Sequence, residues 1–487
     1  MKGASEVSRW VMHWDEVAVF DINSASLGVD ESSLMTAAGE ALAHEVEKSS
    51  GGGGVLFLCG PGNNGGDGFV AACSRSLSDI PTSILASHES SKTETSSHAR
   101  EMAAKESQVH VWPDCPKSDW TLIVDCLLGS GGAGLGTELR PPIRDVSAWA
   151  KSTGLPILSC DIPTGLGGPD ALKPIRTVTF HSPKMGMSES GCGEIVVSDL
   201  PWPTEVRNCG VGDASRYPSI ESDARKGDRG RLLVVGGGPY HGAPILSGMA
   251  AARSGCDLVH VAMPTQASSR SKWPASLIPE ELPDREFLTL ESIRALSDFI
   301  DSGRAPDAMV VGPGIGREEE SMEAVRSIIS LSVRKSIPLV IDADAISALP
   351  VGKWPDGLIG VATPHSREAE RWLSGVAPLQ ALADCTKEES TIVITGHEDE
   401  IFGPGGRYCH ATGGHPRMAV SGTGDLLAGT IGGLLAQGMA PWPAARLACA
   451  VLREAGSKAA QEKGPGLLAD DVPVHIAHTL SEWVGVR

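Results

Sequence analysis

The side chains best suited to chemistry in this chain sit in glycine-rich turns. The stretch CGPGNNGGDG (59–68) gathers Asn63, Asn64, Gly65, Gly66 and Asp67. It follows the apolar run GVLFL and precedes FVAAC, which reads as the start of a helix, so its backbone N–H groups can approach an anion at a helix N-terminus. It is neither a dinucleotide fingerprint nor a P-loop, since no GK[ST] follows. IVDCLLGSGGAGL contributes Asp125 and the run Gly129, Ser130, Gly131, Gly132, Ala133, Gly134 and Leu135, and CDIPTGL contributes Asp161 and Thr164. Asn63, Asn64, Asp125 and Thr164 offer hard oxygens with no imidazole or thiolate. That set suits an alkali or alkaline-earth cation, not zinc. Asp125 and Asp161 can equally serve as turn caps.

A second constellation opens SGTGDLLAGTIGGLLAQG (421–438), with Ser421, Gly422, Thr423, Gly424 and Asp425 ahead of a buried helix. Consecutive N–H groups of Gly422, Thr423 and Gly424 can hold a phosphate, backed by the helix dipole. Asp425 then stands where it can take a proton from a substrate hydroxyl. Positioning, charge stabilisation and a base are what phosphoryl transfer requires. Four other loops converge on it in the reading. GGGPYHGAPILSGMAAARSG (236–255) is another glycine-rich strand-to-helix turn. ATPHSREAERWL (362–373) places His365 between a strand and an amphipathic helix, where a lone histidine is more often structural. VVGPGIG (310–316) and IDADAI (341–346) supply strand-end loops in which Asp342 and Asp344 either contact Mg²⁺ indirectly or cap the next element.

These turns need a scaffold that brings them to one edge. In the first half, apolar runs predict strands at 54–58, 82–86, 108–112, 121–126, 156–160, 176–180 and 194–197. A helix is expected over 32–49, capped by Ser32 or Ser33, and a polar helix with its leading loop over 86–107. The pattern restarts with strands at 231–237, 256–263, 307–312, 338–343, 357–363 and 391–395. The spacings fit helical crossovers and two mostly parallel sheets, an α/β class. In such sheets ligands bind beyond the carboxyl ends of the strands. The Pro-, Gly- and Ser-rich segment at 213–225 is the expected boundary between a domain over 1–215 and one over 225–487.

The bulk composition limits the partners. The chain has 487 residues, 41 basic against 60 acidic side chains and a net charge of −19. An acidic surface opposes nucleic acid and anionic membranes, so an anionic ligand must be held by amides, helix ends or a cation. The 11 cysteines are scattered without a C-x-x-C, which argues against a disulfide framework or a thiolate zinc site. With no apolar leader and no run of 18 apolar residues, the expectation is a soluble cytoplasmic protein.

LMTAAGEALA, CGPGNNGGDGFVAA, DCLLGSGGAGL and CDIPTGL together resemble the NAD(P)HX epimerase domain, a Rossmann-like α/β/α sandwich. KGDRGRLLVVGGGPYHGAPILSGMAAARSG, VVGPGIG, VIDADAIS, ATPHSREAE, SGTGDLLAG and GPGLLADDV resemble the ADP-dependent NAD(P)HX dehydratase domain, of ribokinase-like fold. Their order is that of the bifunctional NAD(P)H-hydrate repair family and spans nearly the whole chain. The resemblance implies repair of hydrated NADHX and NADPHX: epimerisation of R and S forms, then dehydration of the S form with ADP to give NAD(P)H, AMP and phosphate. It implies that Asn63 to Asp67 and Gly129 to Leu135 hold the substrate, that Asp161 contacts its nicotinamide end, and that Asn64, Asp125 and Thr164 bind K⁺. In the second domain Ala243, Gly316 and His365 would line the hydrated-cofactor site. Thr395, Gly396, His397, Glu398, Asp399 and the 415–424 segment would hold ADP with Mg²⁺, and Asp425 would act at the ring hydroxyl. Asp161 is the implied acid/base for epimerisation, and a homo-oligomer is expected.

Three positions depart from the family pattern. Thr395 stands where a lysine is usual, which removes a cation beside the nucleotide phosphates and leaves Arg417 or His397 to compensate. Ser421 replaces a glycine but keeps its N–H, and Thr164 replaces a serine but keeps its hydroxyl. Two rival readings remain: a ribokinase-like kinase for a small alcohol, which leaves the first domain unexplained, and a binding or scaffold protein, which the retained Asp67, Asp125, Asp161 and Asp425 oppose.

Overall fold

The apolar run at 54–58 becomes strand β1 (Gly54–Cys59), buried at every position. The computed structural model describes residues 11–131, 135–219, 221–383 and 389–485. In it, β1 feeds two cores. Leu56 and Leu58 pack with Ile123, Leu127 and Val146, while Val55 and Phe57 pack with Leu42, Val46 and Phe69. A parallel strand covered on both faces reads as a continuous apolar run for this reason.

The chain divides into two units, Met1–Val206 and Arg207–Arg487. In the first, β2 (Thr82–Ala86), β3 (Val109–Val111), β4 (Trp120–Cys126), β5 (Ile157–Cys160), β6 (Arg176–Phe180) and β7 (Glu194–Ser198) join β1. The order is β3-β2-β1-β4-β5-β6-β7, and every pairing is parallel. The chain runs outward from β1 to β3, then resumes at β4 on the other side. This leaves a crevice between the ends of β1 and β4, the switch point at which open α/β sheets bind ligands.

Two details differ from the sequence expectation. Helix α1 (Glu31–Ser50) is capped not by Ser32 or Ser33 but by Asp30, whose carboxylate accepts from the Ser33 N–H at 2.6 Å. Helix α2 (Asn63–Ala72) starts at Asn63, so NNGGD forms its first turns and not a loop. Packing overrides the poor helix propensity of glycine here: a Cβ added at Gly65 would lie 2.0 Å from the Gly60 carbonyl oxygen.

The second unit holds β8 (Arg231–Val235), β9 (Leu258–Pro264), β10 (Ile278–Leu282), β11 (Ala308–Val311), β12 (Leu339–Ile341), β13 (Gly360–Ala362), β14 (Ser390–Ile394), β15 (Asp399–Gly403) and β16 (Arg407–Ala411). Their order is β10-β9-β8-β11-β12-β13-β14-β15-β16, parallel through β14 and antiparallel beyond. β10 and the β15–β16 hairpin were not expected from the sequence. β13 is shorter than its apolar run, whose first residue, Gly357, takes a positive φ of 73°. The switch point lies between β8 and β11.

Helix α3 (Ala243–Arg253) follows β8. Helix α4 (Ser366–Leu373) follows β13, α5 (Thr423–Ala436) follows the β15–β16 hairpin, and α6 (Pro441–Lys463) follows α5. Every residue of α5 from Leu426 to Ala436 is buried. Residues 207–212, expected in the first domain, and 213–219 of the expected boundary segment belong to this unit. Asp213 and Arg446 of α6, both buried, pair at 2.6 Å, and Arg446 also donates to the Arg207 and Asn208 carbonyls. The ten described cysteines are all free. No helix among the described residues is long and apolar enough to cross a membrane.

Candidate functional site

In the first unit a cavity of about 420 Å³ opens at the β1/β4 switch point. Asn63, Asn64, Asp67, Gly129, Ser130, Gly131 and Asp161 all line it. Gly132, Ala133 and Gly134 lie outside the described residues. Leu135 is exposed and sits beside Gly167 and Gly186, away from the cavity. Asn63 is held by its neighbours: its amide donates to the Glu31 carboxylate and accepts from the Thr93 hydroxyl. Gly65 and Gly66 serve close packing, the former against Gly60 and the latter against Met35.

Asp161 is the most constrained member. It takes φ of 62°, a left-handed conformation that costs a non-glycine residue roughly 1–2 kcal/mol. Its Oδ2 accepts from the Ser130 N–H at 2.7 Å and the Ser130 hydroxyl at 2.6 Å. Its Oδ1 pairs with Lys184 Nζ at 2.7 Å. Burial pushes the Asp161 carboxyl up, but the Lys184 ammonium and the Ser130 donors outweigh it and hold the group below the usual carboxylate range. Asp67 goes the other way: burial, then the charges of Asp161, Asp21 and Glu31, raise it well above that range. The far wall is apolar and aromatic, with His181 stacked on Trp202 at 3.4 Å between centroids.

Of the candidate cation ligands, Asn64 lines the cavity, whereas Asp125 and Thr164 are fully buried. Asp125 ends β4 inside the strand, fully buried, and accepts from Leu127 N–H, Ser159 Oγ, Thr164 N–H and Thr164 Oγ1. Burial raises its pKa while these donors oppose the shift. Asn64 is buried beside Gly129, and neither atom of its amide has a hydrogen-bond partner. An orphaned buried amide oxygen is expensive. Together with the Asp125 carboxylate and Thr164 hydroxyl it fits a hard monovalent cation.

In the second unit the predicted loops meet at the carboxyl ends of β8, β11, β12, β13 and β14. An added Cβ would strike the Tyr240 carbonyl oxygen from Gly314 at 2.0 Å and that of Asp342 from Gly312 at 1.8 Å. Three loops therefore touch backbone to backbone. Ala243 begins α3. Gly316, at φ of 85°, donates its N–H to Asp344, which also pairs with Arg317 at 2.7 Å. Asp344 is thus engaged. Asp342 is buried, accepts from the Thr363 hydroxyl at 2.7 Å and is pushed up to about 6, chiefly by burial. His365 is half-exposed and caps α4: its Nδ1 accepts from the Arg367 and Glu368 N–H groups, leaving Nε2 beside Glu368 at 3.4 Å. It bridges to Thr395, whose N–H donates to the Pro364 carbonyl.

The 395–399 loop leaves Gly396, His397 and Glu398 exposed. Asp399 is buried and bound by Arg453, with both contacts at 2.9 Å, and so cannot itself face a nucleotide. Arg453 also donates to the carbonyls of Gly396, His397 and Gly413. This tie between α6 and the loop escaped the sequence reading because 54 residues separate its ends. Gly422 caps α5 at φ of 101°. Thr423, Gly424 and Asp425 form the first turn, where helix N–H groups have no acceptor within the helix. Ser421 and Gly424 are exposed, and the Thr423 hydroxyl donates to the Met418 carbonyl at 2.7 Å. Burial, then the Asp342 charge, pushes Asp425 up to about 7. Such a carboxyl is poised for general-base work near neutral pH. Among the described residues no group of three or more His, Cys, Asp or Glu is arranged for a metal.

Comparison with known proteins gives a consistent picture. Residues 232–477 match the family model described as NAD(P)H-hydrate dehydratase, and residues 31–186 match that of the YjeF-related protein N-terminus. The chain is 34% identical over 498 residues to a protein of Hyperthermus butylicus named bifunctional NAD(P)H-hydrate repair enzyme Nnr, covering 96% of this chain and 91% of that one. A protein of the same name from Methanothermobacter thermautotrophicus is 31% identical over 508 residues, with 95% and 94% covered. Among solved structures, protein SMU.573 from Streptococcus mutans is similar with a TM-score of 0.48 and 25% identity, covering 56% of this chain and 97% of that one.

Proposed function

The chain belongs to the bifunctional NAD(P)H-hydrate repair enzymes, and on that premise we propose which residues carry its two reactions. The enzyme is both isomerase and lyase: it epimerises R and S NAD(P)HX and dehydrates the S epimer. Our assignment puts epimerisation in the 420 Å³ cavity, with the α2 N-terminus and the 129–131 loop around the phosphates and Asp161 at the nicotinamide end. K⁺ held by Asn64, Asp125 and Thr164 would supply positive charge beside those phosphates. Dehydration is assigned to the β8/β11 switch point of the second unit. There the 236–243 and 312–316 loops and His365 would hold the hydrated cofactor, and the 395–398 and 415–424 segments would hold ADP. We assign Mg²⁺ to the nucleotide and derive no step through it.

Hydroxide is a poor leaving group, whereas a phosphate ester leaves easily. Asp425 would take the proton of the ring hydroxyl as that oxygen is phosphorylated. The amides of the SGTGD turn would stabilise charge on the transferring group. The observation that carries this reading is Asp425 itself, a carboxyl raised to about 7 in the first turn of a buried helix behind two glycines. We place this work in the cytoplasm and in a homo-oligomer. The test is recovery of reduced-nicotinamide absorbance from mixed R and S NADHX with Mg²⁺ and K⁺. Full recovery that requires ADP is expected. A stable phosphorylated product with no reduced cofactor would point to the kinase reading instead.

A further inference from the structure

We infer that Lys184 is a positioning residue for epimerisation: it selects Asp161, out of four carboxyls facing one cavity, as the group held ionised and aimed at the substrate. The inference rests on the assignment of the first-unit cavity to that reaction. Asp21 from the helix before α1, Glu31 from α1, Asp67 from α2 and Asp161 after β5 all line the cavity, and Lys92 and Lys184 line it too. Of these four carboxyls, Asp161 alone has an ion-pair partner among the described residues. Glu31 is engaged by the Asn63 amide and the Thr95 hydroxyl.

Lys184 is 3% exposed, and its ammonium meets three oxygens: Asp161 Oδ1 at 2.7 Å, Thr179 Oγ1 at 2.9 Å and the Phe180 carbonyl at 3.0 Å. Two of the three N–H donors of this ammonium go to Thr179 and Phe180, and its charge is paired with the Asp161 carboxylate. Its backbone is pinned as well: Met12 bridges to it, donating to the Pro183 carbonyl and accepting from Met185. Lys184 therefore acts through Asp161. It fixes the carboxylate at a left-handed backbone position and keeps it an acceptor. Asp161 then receives a proton during turnover and is not the resting donor. Of the remaining carboxyls, Asp67 and Asp21 are the two whose surroundings favour the protonated form, Asp21 being pushed up to about 7 chiefly by burial. Environments that separate the proton affinities of neighbouring acids divide acid from base in this way.

The experiment follows R-to-S conversion of NADHX by chiral separation in the intact protein, across pH, for wild type, Lys184→Met, Lys184→Gln and Lys184→Arg. ADP-dependent dehydration of pure S epimer serves as the internal control for the second unit. Lys184→Met is expected to lower kcat for epimerisation about 100-fold, the scale of one acid–base contribution. KM should change little. The acid limb of its profile should move up by about one pH unit or more, as loss of a close cation requires. Lys184→Arg should keep the wild-type limb. If the methionine variant does not fold, the Gln and Arg variants decide: a raised limb for Gln alone supports the inference, and superimposed limbs overturn it. Epimerisation within threefold of wild type in Lys184→Met also overturns it. A wild-type protein that does not epimerise overturns both the inference and the assignment of the cavity, whereas loss of activity in Asp161→Asn alone leaves the assignment standing and the inference refuted.

Discussion

Asp425 shows how one residue can be read from both ends. Two glycines and a threonine before an aspartate, followed by an apolar stretch, already indicate an anion hole with a base beside it. The structure adds a physical ground for the base role proposed for it. Burial first, and the nearby Asp342 second, lift the carboxyl to about 7. A base must be deprotonated to act, so dehydration should accelerate as pH rises through about 7 and level off above, and Asp425→Asn should be slow at every pH; a pH series of initial rates measures this. The same shift has a sign for stability. The folded pKa lies above the ordinary 3.8, so ionised Asp425 is disfavoured in the folded protein, and its contribution to stability falls as pH climbs between those values. Other residues at this scale were not legible. Lys184 is 23 positions from Asp161, with no local spacing to betray the pair, and Arg453 reaches its loop from a helix far along the chain. Such partners depend on sheet order, which no short motif encodes.

At the scale of elements, the buried strands were readable because parallel strands covered on both faces are apolar throughout. The start of α2 was not, because Gly65 and Gly66 look like a turn, and their close packing against Gly60 and Met35 shows only in the fold. The β15–β16 hairpin escaped because its strands carry Arg407, Tyr408 and His410 in place of an apolar run. Small residues in α5 have a similar tertiary meaning. A Cβ at Gly429 would lie 1.9 Å from the Ser247 carbonyl of α3, so Gly429→Ala must push apart the two helices that carry Ala243 and Asp425. Overpacking of this kind costs roughly 1–3 kcal/mol. We expect that loss in urea unfolding of the second unit, together with a fall in dehydration and unchanged epimerisation. A variant with wild-type dehydration would show that the helix spacing does not position the site.

For the whole molecule, the lesson is a repeated solution. Each unit builds a mostly parallel sheet, reverses its strand order once and gathers glycine-rich loops at that reversal. The net charge of −19 explains why phosphate-bearing ligands must be met by amides and helix N-termini instead of a basic surface. Two α/β units were legible from the alternation of apolar runs and helical segments. The division at residue 206 was not, because Asp213 and Arg446 draw the Pro-rich segment into the second unit, a pairing set by packing and not composition. The central claim is that two independent sites in one chain carry out successive steps. It is tested most directly by mixing R and S NADHX with ADP and following reduced-nicotinamide absorbance for wild type, Asp161→Asn and Asp425→Asn. The account predicts full recovery for wild type, recovery that stops at the S fraction for Asp161→Asn after correction for spontaneous epimerisation, and none for Asp425→Asn, whose R and S forms still interconvert. Equal loss of both activities in either variant would contradict it.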